Sequence, residues 1–538
     1  MESSNSNYVG SISAAGSARI QIGNNTTNNY YQDDDKKYLA ALCSTDPRHD
    51  KSRIEQTNGG LLKESYQWIL HNTEFQRWCD PKEDCPLLWI RGDPGKGKTM
   101  LLSGTINELQ PYTRLGNSGT DTSLSYFFCQ ATNAGLNNAT AVLRGLAYLL
   151  VEQQPSLLSH VRDKVSLSPG HWNSRIAISD LLSEMLGDPA LQNVIFVVDA
   201  LDECITDLKF LLDFISSTTS TQVRWIVSSR NINEIERRLN KPQMNLALSL
   251  ELNAESVSQA VNSYIQHRIH KLRVDQEFGS NYLKLIEDHL SQNAHGTFLW
   301  VALVCRQLES SEEWEVRKVL QDSPRDLKEL YGRMMKTISD SLSKDLYMEI
   351  LDIVSTVYRP ISLSELMVIR NKPGDVNRVR KIVMKCGCFL TIKDEVVYFV
   401  HQSAKEFLLK PENEPPPSLT QHHLGLFEKS LEGLETLKMD IYDLAYPAVS
   451  IDEVHLYSPE HDPLSGLAYF CEFWADHLRD SQAIYAKGPS SQDQFYNKVY
   501  RFMATKFLFW LEALSLLQSL PAAMKTLQIL EDLPLVCF

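Results

Sequence analysis

Eight consecutive residues have the types and spacing that are needed to hold the phosphates of a nucleotide. They match the pattern G-x-x-x-x-G-K-[ST] at every fixed position and are Gly92, Asp93, Pro94, Gly95, Lys96, Gly97, Lys98 and Thr99. The glycines let backbone N–H groups turn inward around phosphates, Lys98 supplies a positive charge to the β- and γ-phosphates, and Thr99 offers a hydroxyl to Mg²⁺. We include the next residue, Met100, among the candidate nucleotide-binding residues.

Three acidic residues follow a second apolar run. Val194–Val198 predicts a buried strand that ends at Asp199, where a carboxylate can hold Mg²⁺. Asp202 and Glu203 come next, and either one could orient or deprotonate an attacking water molecule. The alternative is that both are solvated acids at a helix N-terminus, where negative charge favours the helix dipole.

A third apolar run, Arg224–Val227, predicts a strand that is followed by Ser228, Ser229 and Arg230. An arginine at this position could reach the γ-phosphate and report its presence. A surface arginine with no phosphate contact is the alternative, because a lone arginine carries little specificity.

The nucleotide base is predicted to be adenine. Residues 371–374 read Asn-Lys-Pro-Gly, which has glycine at the fourth position where a guanine-specificity motif needs an acid. We therefore interpret this sequence as a proline turn, and expect ATP or ADP with Mg²⁺ as the cofactors.

Strand-like and helical segments alternate around these residues. The candidate strands are Leu87–Ile90, Ser125–Cys129, Val194–Val198 and Arg224–Val227, and the candidate helices are Leu61–Leu70, Thr99–Glu108, Thr140–Gln153 and Ile176–Leu186. Such alternation predicts an α/β P-loop NTPase fold, with a parallel sheet and helices on both faces.

The rest of the chain is predicted to be mostly helical. A hairpin of Phe389–Ile392 and Val396–Val400 after helices indicates a winged helix. The predicted domains are a disordered segment at 1–32, a helical lead-in at 33–84, the P-loop domain at 85–240, a helical domain at 241–330, a winged-helix domain at 331–410 and a C-terminal helical region at 411–538.

Composition excludes several function classes. The chain has 538 residues and a net charge of −14, from 53 basic and 67 acidic side chains, which argues against a nucleic-acid clamp. We see no signal peptide, the ten cysteines are scattered, and the apolar runs are shorter than the ~18 residues that span a bilayer. These features predict a cytoplasmic protein without direct membrane insertion.

Several motifs together resemble the fungal NACHT-type P-loop switch ATPases, which are NLR-like proteins of the STAND class. The acidic cluster Asp199-Ala-Leu-Asp202-Glu203 is the most specific of them. The other motifs are Asp46-Pro-Arg-His-Asp50, Gly59-Gly60-Leu61-Leu62, Tyr126-Phe-Phe-Cys129, Gly296-Thr-Phe-Leu-Trp300, Arg359-Pro360-Ile-Ser-Leu-Ser-Glu365-Leu366 and His401-Gln-Ser-Ala-Lys-Glu-Phe-Leu408.

This resemblance implies a closed resting state, in which the P-loop, helical and winged-helix domains clamp ADP. It also implies that His401 touches the β-phosphate, whereas the residues alone would favour a core histidine at a hairpin end. One departure is Phe298, which stands where the family often has a proline against the adenine. Another is that fungal members usually continue into ankyrin, WD40 or TPR repeats, so that here either residues 409–538 sense the ligand or the chain is truncated.

The N-terminal segment resembles the short amyloid motif of fungal heterokaryon-incompatibility prion proteins. The similar stretch is Gly10–Asn24, in which Ala18, Ile20 and Ile22 alternate with Arg19 and Gln21 between Gly16 and Gly23. The asparagines that follow could stack as ladders. A disordered tail is the commonest alternative for this composition.

The leading hypothesis from the sequence is an ATP-dependent signalling switch. It would oligomerise with copies of itself on binding ATP and would activate a cell-death effector that carries a matching amyloid motif. Hydrolysis would be slow and would reset the switch. The alternatives are a turnover ATPase that acts in remodelling and a truncated scaffold that binds nucleotide without signalling.

Overall fold

A computed structural model of the chain describes residues 35, 38, 39, 42 and 45–532, except for 81, 166–173, 240–244, 277, 310, 371–374, 410–418, 445–461 and 482–488. The predicted amyloid motif at 10–24 and the proline turn at 371–374 lie outside these residues.

Five parallel strands form the central sheet. Parallel sheets are usually covered on both faces, which suits the apolar side chains of these strands. The strands are β1 (Leu87–Arg91), β2 (Thr122–Phe128), β3 (Asn193–Asp199), β4 (Val223–Ser229) and β5 (Asn245–Ser249). Their order across the sheet is β2-β3-β4-β1-β5. β4 therefore lies between β1, which leads into the phosphate loop, and β3, which ends at the predicted magnesium ligand.

Helices precede the sheet and cover both of its faces. The lead-in helices are α1 (Pro47–Thr57), α2 (Lys63–Tyr66) and α3 (Thr73–Cys79). The helices of the α/β unit are α4 (Lys98–Leu109), α5 (Ala139–Gln153), α6 (Leu158–Val165), α7 (Arg175–Leu186), α8 (Leu208–Thr218) and α9 (Asn233–Leu239). Alternate β1 residues contribute to two cores, with Leu88 and Ile90 in one and Leu87 and Trp89 in the other. The predicted α/β fold is confirmed.

The single helix predicted over Leu61–Leu70 is wrong. The structure has the four-residue helix α2 and then a 3₁₀ turn at Gln67–His71. The break falls at Tyr66, which is buried and donates its hydroxyl hydrogen to Glu108 on α4 over 3.0 Å. Packing against α4 therefore overrides the local helical pattern.

Four helices follow the sheet and are called the helical region below, and a winged helix follows them. The helices are α10 (Ala254–Asp275), α11 (Ser280–Asn293), α12 (Phe298–Glu309) and α13 (Val316–Gln321). The winged helix consists of α14 (Leu327–Ser339), α15 (Lys344–Thr356), β6 (Ile361–Ser362), α16 (Leu363–Arg370), α17 (Val376–Lys385), β7 (Leu390–Lys393), β8 (Val396–Phe399) and α18 (Gln402–Leu409).

The predicted hairpin is present as β7 and β8, and β6 pairs with the other side of β8. Asp394 and Glu395 join the two strands with φ angles of 49° and 64°. Positive φ at both central residues matches the right-handed twist of the flanking strands. The rings of Phe389 and Phe407 each lie 5.6 Å from that of Tyr331 on α14, so the hairpin and α18 are fixed to the same helix.

The C-terminal region is helical. It contains α19 (Leu419–Leu434), α20 (Ala468–Asp480), α21 (Pro489–Leu516) and α22 (Pro521–Asp532). Trp474 and Trp510 are fully buried at its centre, with ring centroids 6.1 Å apart. Among the described helices, none combines the length and the apolar character that crossing a bilayer requires. The residue boundaries assigned to the domains remain predictions.

Candidate functional site

The phosphate loop connects β1 to α4 through two glycines in the left-handed region. Gly95 and Gly97 have φ angles of 77° and 85°. A Cβ atom at Gly95 would lie 2.8 Å from Cβ of Leu299, and one at Gly97 would lie 2.8 Å from the ring of Phe298. Both the backbone conformation and the close approach of α12 therefore require glycine.

Lys98 lies at the first turn of α4 and points back over the loop. Its Nζ donates to the carbonyl oxygens of Gly92 and Asp93, over 2.6 and 3.1 Å. Burial lowers the pKa of Lys98, while the carboxylates of Asp202 and Asp199 oppose that shift. The ammonium group is thus held among the loop carbonyls and nearby acids, where the predicted phosphates would lie.

The neighbouring lysine has a different environment. Lys96 extends away from the loop, and its Nζ donates to the carbonyl oxygen of His295 over 2.7 Å. On the same side, the N–H group of Asp93 donates to Glu251 over 2.7 Å. The side chain of Lys96 therefore ties the loop to the helical region, whereas only its backbone lies in the predicted phosphate cradle.

Asp199 ends β3 and is only 2% exposed. It accepts a hydrogen bond of 2.5 Å from the Ser228 hydroxyl and another from Thr99. Burial raises the pKa of Asp199, and these two hydrogen bonds counteract the rise. A carboxylate beside a threonine hydroxyl is an oxygen donor set that suits Mg²⁺, so the predicted pair of ligands is brought together.

The two acids after Asp199 are adjacent in the 3₁₀ turn Leu201–Glu203 and make different contacts. Asp202 accepts from the backbone N–H of Arg230 over 3.0 Å, and its other oxygen lies 3.0 Å from Nε of the same residue. Glu203 accepts from the N–H group of Ala131 over 3.0 Å. Burial raises the pKa of Glu203 to about 8. Asp202 is thus committed to Arg230, whereas Glu203 is poised to exchange a proton near neutral pH.

Arg230 connects the α/β unit to the winged helix. Asp202 contacts Nε of Arg230, and Nη1 of Arg230 donates to Glu406 on α18 over 2.9 Å. The guanidinium is half-buried and lines the same cavity as Lys98 and Thr99. It is therefore placed where a phosphate and Glu406 would compete for it.

His401 lies at the start of α18 and faces the same cavity. Its Nδ1 accepts the backbone N–H of Ser403 over 3.1 Å, so the proton of the neutral ring is on Nε2. Burial, together with the positive charges of Arg230 and Lys98, lowers the pKa of His401 to about 3. The imidazole is thus a neutral hydrogen-bond donor at physiological pH.

A cavity of about 440 Å³ brings these groups together. Its walls come from the phosphate loop with Met100, the acids, the winged-helix residue His401, the lead-in glycines Gly59 and Gly60, and the helical-region aromatics Tyr264 and Phe298. The ring of Phe298 lies 5.7 Å from that of Tyr264. An aromatic ring therefore occupies the wall position where the family often has proline.

Three polar contacts of the site were missed by the sequence reasoning. Ser228 donates to Asp199, Glu251 accepts from the phosphate loop, and Glu406 accepts from Arg230. Ser228 and Glu406 lie in motifs that were recognised, yet no local pattern assigns their partners. Glu251 follows a strand, β5, that was not predicted.

Comparisons with known proteins find sequence similarity to a protein family and to a fungal protein. Residues 64–230 match the family described as Nephrocystin 3, N-terminal. The vegetative incompatibility protein HET-E-1 of Podospora anserina is 45% identical over 525 residues, which is 92% of this chain. The chain spans 38% of that relative's length.

The similar solved structures have much lower sequence identity and low TM-scores. The Aeropyrum pernix ORC2 protein in ADPNP–ADP complexes is 13% identical, with a TM-score of 0.30, over 62% of this chain and 89% of that one. Drosophila ORC bound to DNA is also 13% identical at a TM-score of 0.30, over 66% and 84%. The sequence matches and the P-loop fold together support a NACHT-related, NLR-like protein.

Proposed function

We propose that this protein is an ATP/ADP-dependent signalling switch that acts in fungal non-self recognition. The observation that carries the proposal is the bridge from Asp202 through Arg230 to Glu406, because it joins the acidic end of the sheet to the winged helix. A similarity to a protein named for vegetative incompatibility supports the biological setting.

The residues of the phosphate loop and the sheet edge suit the binding of Mg-ATP. Lys98 would neutralise the β- and γ-phosphates, while Thr99 and Asp199 would provide oxygen ligands to Mg²⁺. Bound Mg²⁺ would screen the phosphate charge during hydrolysis. Glu203 is the better placed of the two acids to accept a proton from water, because Asp202 is occupied by Arg230.

The proposed coupling between nucleotide and domain position depends on Arg230. A γ-phosphate near this guanidinium would offer it a stronger partner than the partly exposed Glu406 carboxylate. Loss of the contact between Arg230 and Glu406 would release α18. ADP would leave this contact intact and would accept a hydrogen bond from Nε2 of His401. ATP would thus favour an open form and ADP the closed one.

The later steps of signalling extend from this change of state. In the open form, copies of the chain would assemble and bring their N-terminal segments together, which raises the effective concentration of those segments. The segment at 10–24 would then seed a cell-death effector with a matching amyloid motif. Slow hydrolysis in the cytoplasm would return the switch to its closed form.

The test is to purify residues 32–538, denature the protein and identify the released nucleotide by chromatography. We expect stoichiometric ADP, which a locked switch retains. An empty site with steady phosphate release on addition of ATP would instead indicate a turnover ATPase. Unchanged thermal stability in excess Mg-ATP and Mg-ADP would indicate a scaffold with a vestigial site.

Substituting Glu406 should weaken the closed form. Glu406→Gln removes the charge that Arg230 faces, and because Glu406 is 41% exposed we expect ADP release to accelerate only about two- to fivefold. The release of a fluorescent ADP analogue measures this. Glu428→Gln is the control, since Glu428 is 39% exposed and pairs with Lys498 away from the site. An equal effect of both variants would refute the role of the bridge.

Substituting His401 should loosen ADP. His401→Leu removes the Nε2–H donor and should accelerate ADP release about tenfold, which corresponds to roughly 1.4 kcal/mol for one hydrogen bond to a charged group. It should also produce oligomers without added ATP, which light scattering after size-exclusion chromatography would reveal. Unchanged ADP retention in this variant would exclude the proposed contact.

A further inference from the structure

Two buried imidazoles share a hydrogen bond where the winged helix meets the C-terminal helices. His423 on α19 and His477 on α20 are 6% and 0% exposed, and their Nδ1 atoms lie 2.8 Å apart. A hydrogen bond of this kind needs one proton, so that one Nδ1 donates and the other accepts. The contact is therefore satisfied when both rings are neutral, one with its proton on Nδ1 and the other with its proton on Nε2.

The imidazole pair fixes Tyr358, which lies between α15 and β6. His477 Nε2 is 2.8 Å from the hydroxyl of Tyr469, and that hydroxyl accepts the backbone N–H of Tyr358 over 3.2 Å. The Tyr358 ring centroid lies 4.8 Å from that of His477, and its hydroxyl donates to Asp480 over 2.5 Å. Tyr358 is thus held through its backbone, its ring and its hydroxyl.

A further proton would give the pair a positive charge beside a carboxylate that is already engaged by other groups. Among the residues that the structure describes, the charged and titratable groups facing the pair are Tyr358, Lys405, His422, Tyr469, Arg479 and Asp480. Asp480, the carboxylate in this set, already accepts from Tyr358 and from Arg479. An added proton would also place a positive charge on rings that are 6% and 0% exposed, which burial disfavours.

Tyr358 in turn touches the loop beside the candidate catalytic acid. Its carbonyl oxygen accepts the N–H of Ala134 over 2.8 Å. Three residues earlier in the same loop, the N–H of Ala131 donates to Glu203. A short loop therefore connects the imidazole pair, through Tyr358, with the carboxylate that lines the nucleotide cavity.

We propose that the His423–His477 pair is a pH-sensitive joint, which holds Tyr358 against the loop beside Glu203 at neutral pH and opens on acidification. The part of this proposal that concerns nucleotide release depends on the proposed switch function. The direction follows from burial, which lowers the pKa of both imidazoles below the ordinary value of 6.5. Protonation favours the opened form, so stability is lost as the pH falls below about 6.5.

The experiment compares the full-length protein with His423→Asn, in which the amide can replace Nδ1 but cannot take up a proton. Release of a fluorescent ADP analogue and the thermal unfolding midpoint would both be measured at about pH 7.5 and about pH 5.5. In the wild type we expect release to accelerate up to about tenfold at the lower pH, the effect of a one-unit pKa shift. In His423→Asn it should change by less than about twofold.

His422→Asn is the matched control, because His422 is the adjacent imidazole on α19 and lies 3.9 Å from Asp352 instead. This variant should keep the wild-type pH dependence. If His423→Asn does not fold, His477→Gln replaces it. The proposal would be overturned if His423→Asn or His477→Gln kept the wild-type pH dependence. It would also be overturned if His422→Asn lost that pH dependence to the same extent. A protein that retains no nucleotide would refute the switch function instead, and the unfolding midpoints would still test the joint.

Discussion

Lys98→Ala should lower the affinity for Mg-ATP at least about 100-fold, equivalent to roughly 2.7 kcal/mol, because a charge-assisted contact to two phosphates is lost. Lys98 is the ammonium group that sits over the phosphate loop beside Asp199 and Asp202. Isothermal titration calorimetry on nucleotide-stripped protein measures the change.

The control for this prediction is Lys96→Ala, which removes an identical charge two residues away. Because Nζ of Lys96 is bound to the carbonyl oxygen of His295, its loss should leave ATP affinity within about threefold of wild type. Wild-type ATP affinity in Lys98→Ala would show that the phosphate-loop assignment is wrong. Equal losses in both variants would show that the loop responds to net charge alone.

Glu203→Gln should preserve ATP binding and slow hydrolysis about 10²- to 10⁴-fold, the usual contribution of a general base. The amide oxygen of glutamine can still accept the N–H of Ala131, so that the loop stays in place. The protein should therefore accumulate bound ATP, which chromatography of the released nucleotide would detect in single-turnover experiments.

Two comparisons make the test of Glu203 specific. In the wild type, hydrolysis should rise as the pH approaches about 8, because the carboxyl of Glu203 must ionise before it can accept a proton. In Glu203→Gln the residual rate should lose this pH dependence. Asp202→Asn tests the other acid, and loss of hydrolysis there with normal turnover in Glu203→Gln would assign the base to Asp202.

The strands inside the sheet could be predicted from sequence because they have apolar residues at nearly every position. β1, β3 and β4 lie inside the sheet and need apolar side chains on both faces, which makes them visible as runs. β5 lies at the sheet edge and reads Asn-Leu-Ala-Leu-Ser, whose short alternation is a weak signal. The two-residue β6 carries too few residues to form a pattern.

In the candidate site, features that depend on local sequence could be predicted, whereas contacts between distant parts of the chain could not. The phosphate loop is a continuous segment whose shape depends on its own glycines, so spacing alone locates Lys98 and Thr99. The partners of Arg230 depend on where α18 lies against the sheet, and Glu406 is 176 residues away in the chain. The sequence also could not predict that Lys96 and Lys98 point in different directions, because both lie in one motif. They differ because Lys96 donates to a carbonyl of the helical region, whereas Lys98 donates to the phosphate loop.

The cavity walls come from the lead-in, the α/β unit, the helical region and the winged helix. A ligand held between these walls would leave more readily when some of them separate. Its residence time would then depend on how often the protein parts as well as on single contacts such as that of His401. A partner that merely wedges the walls apart would act as an exchange factor.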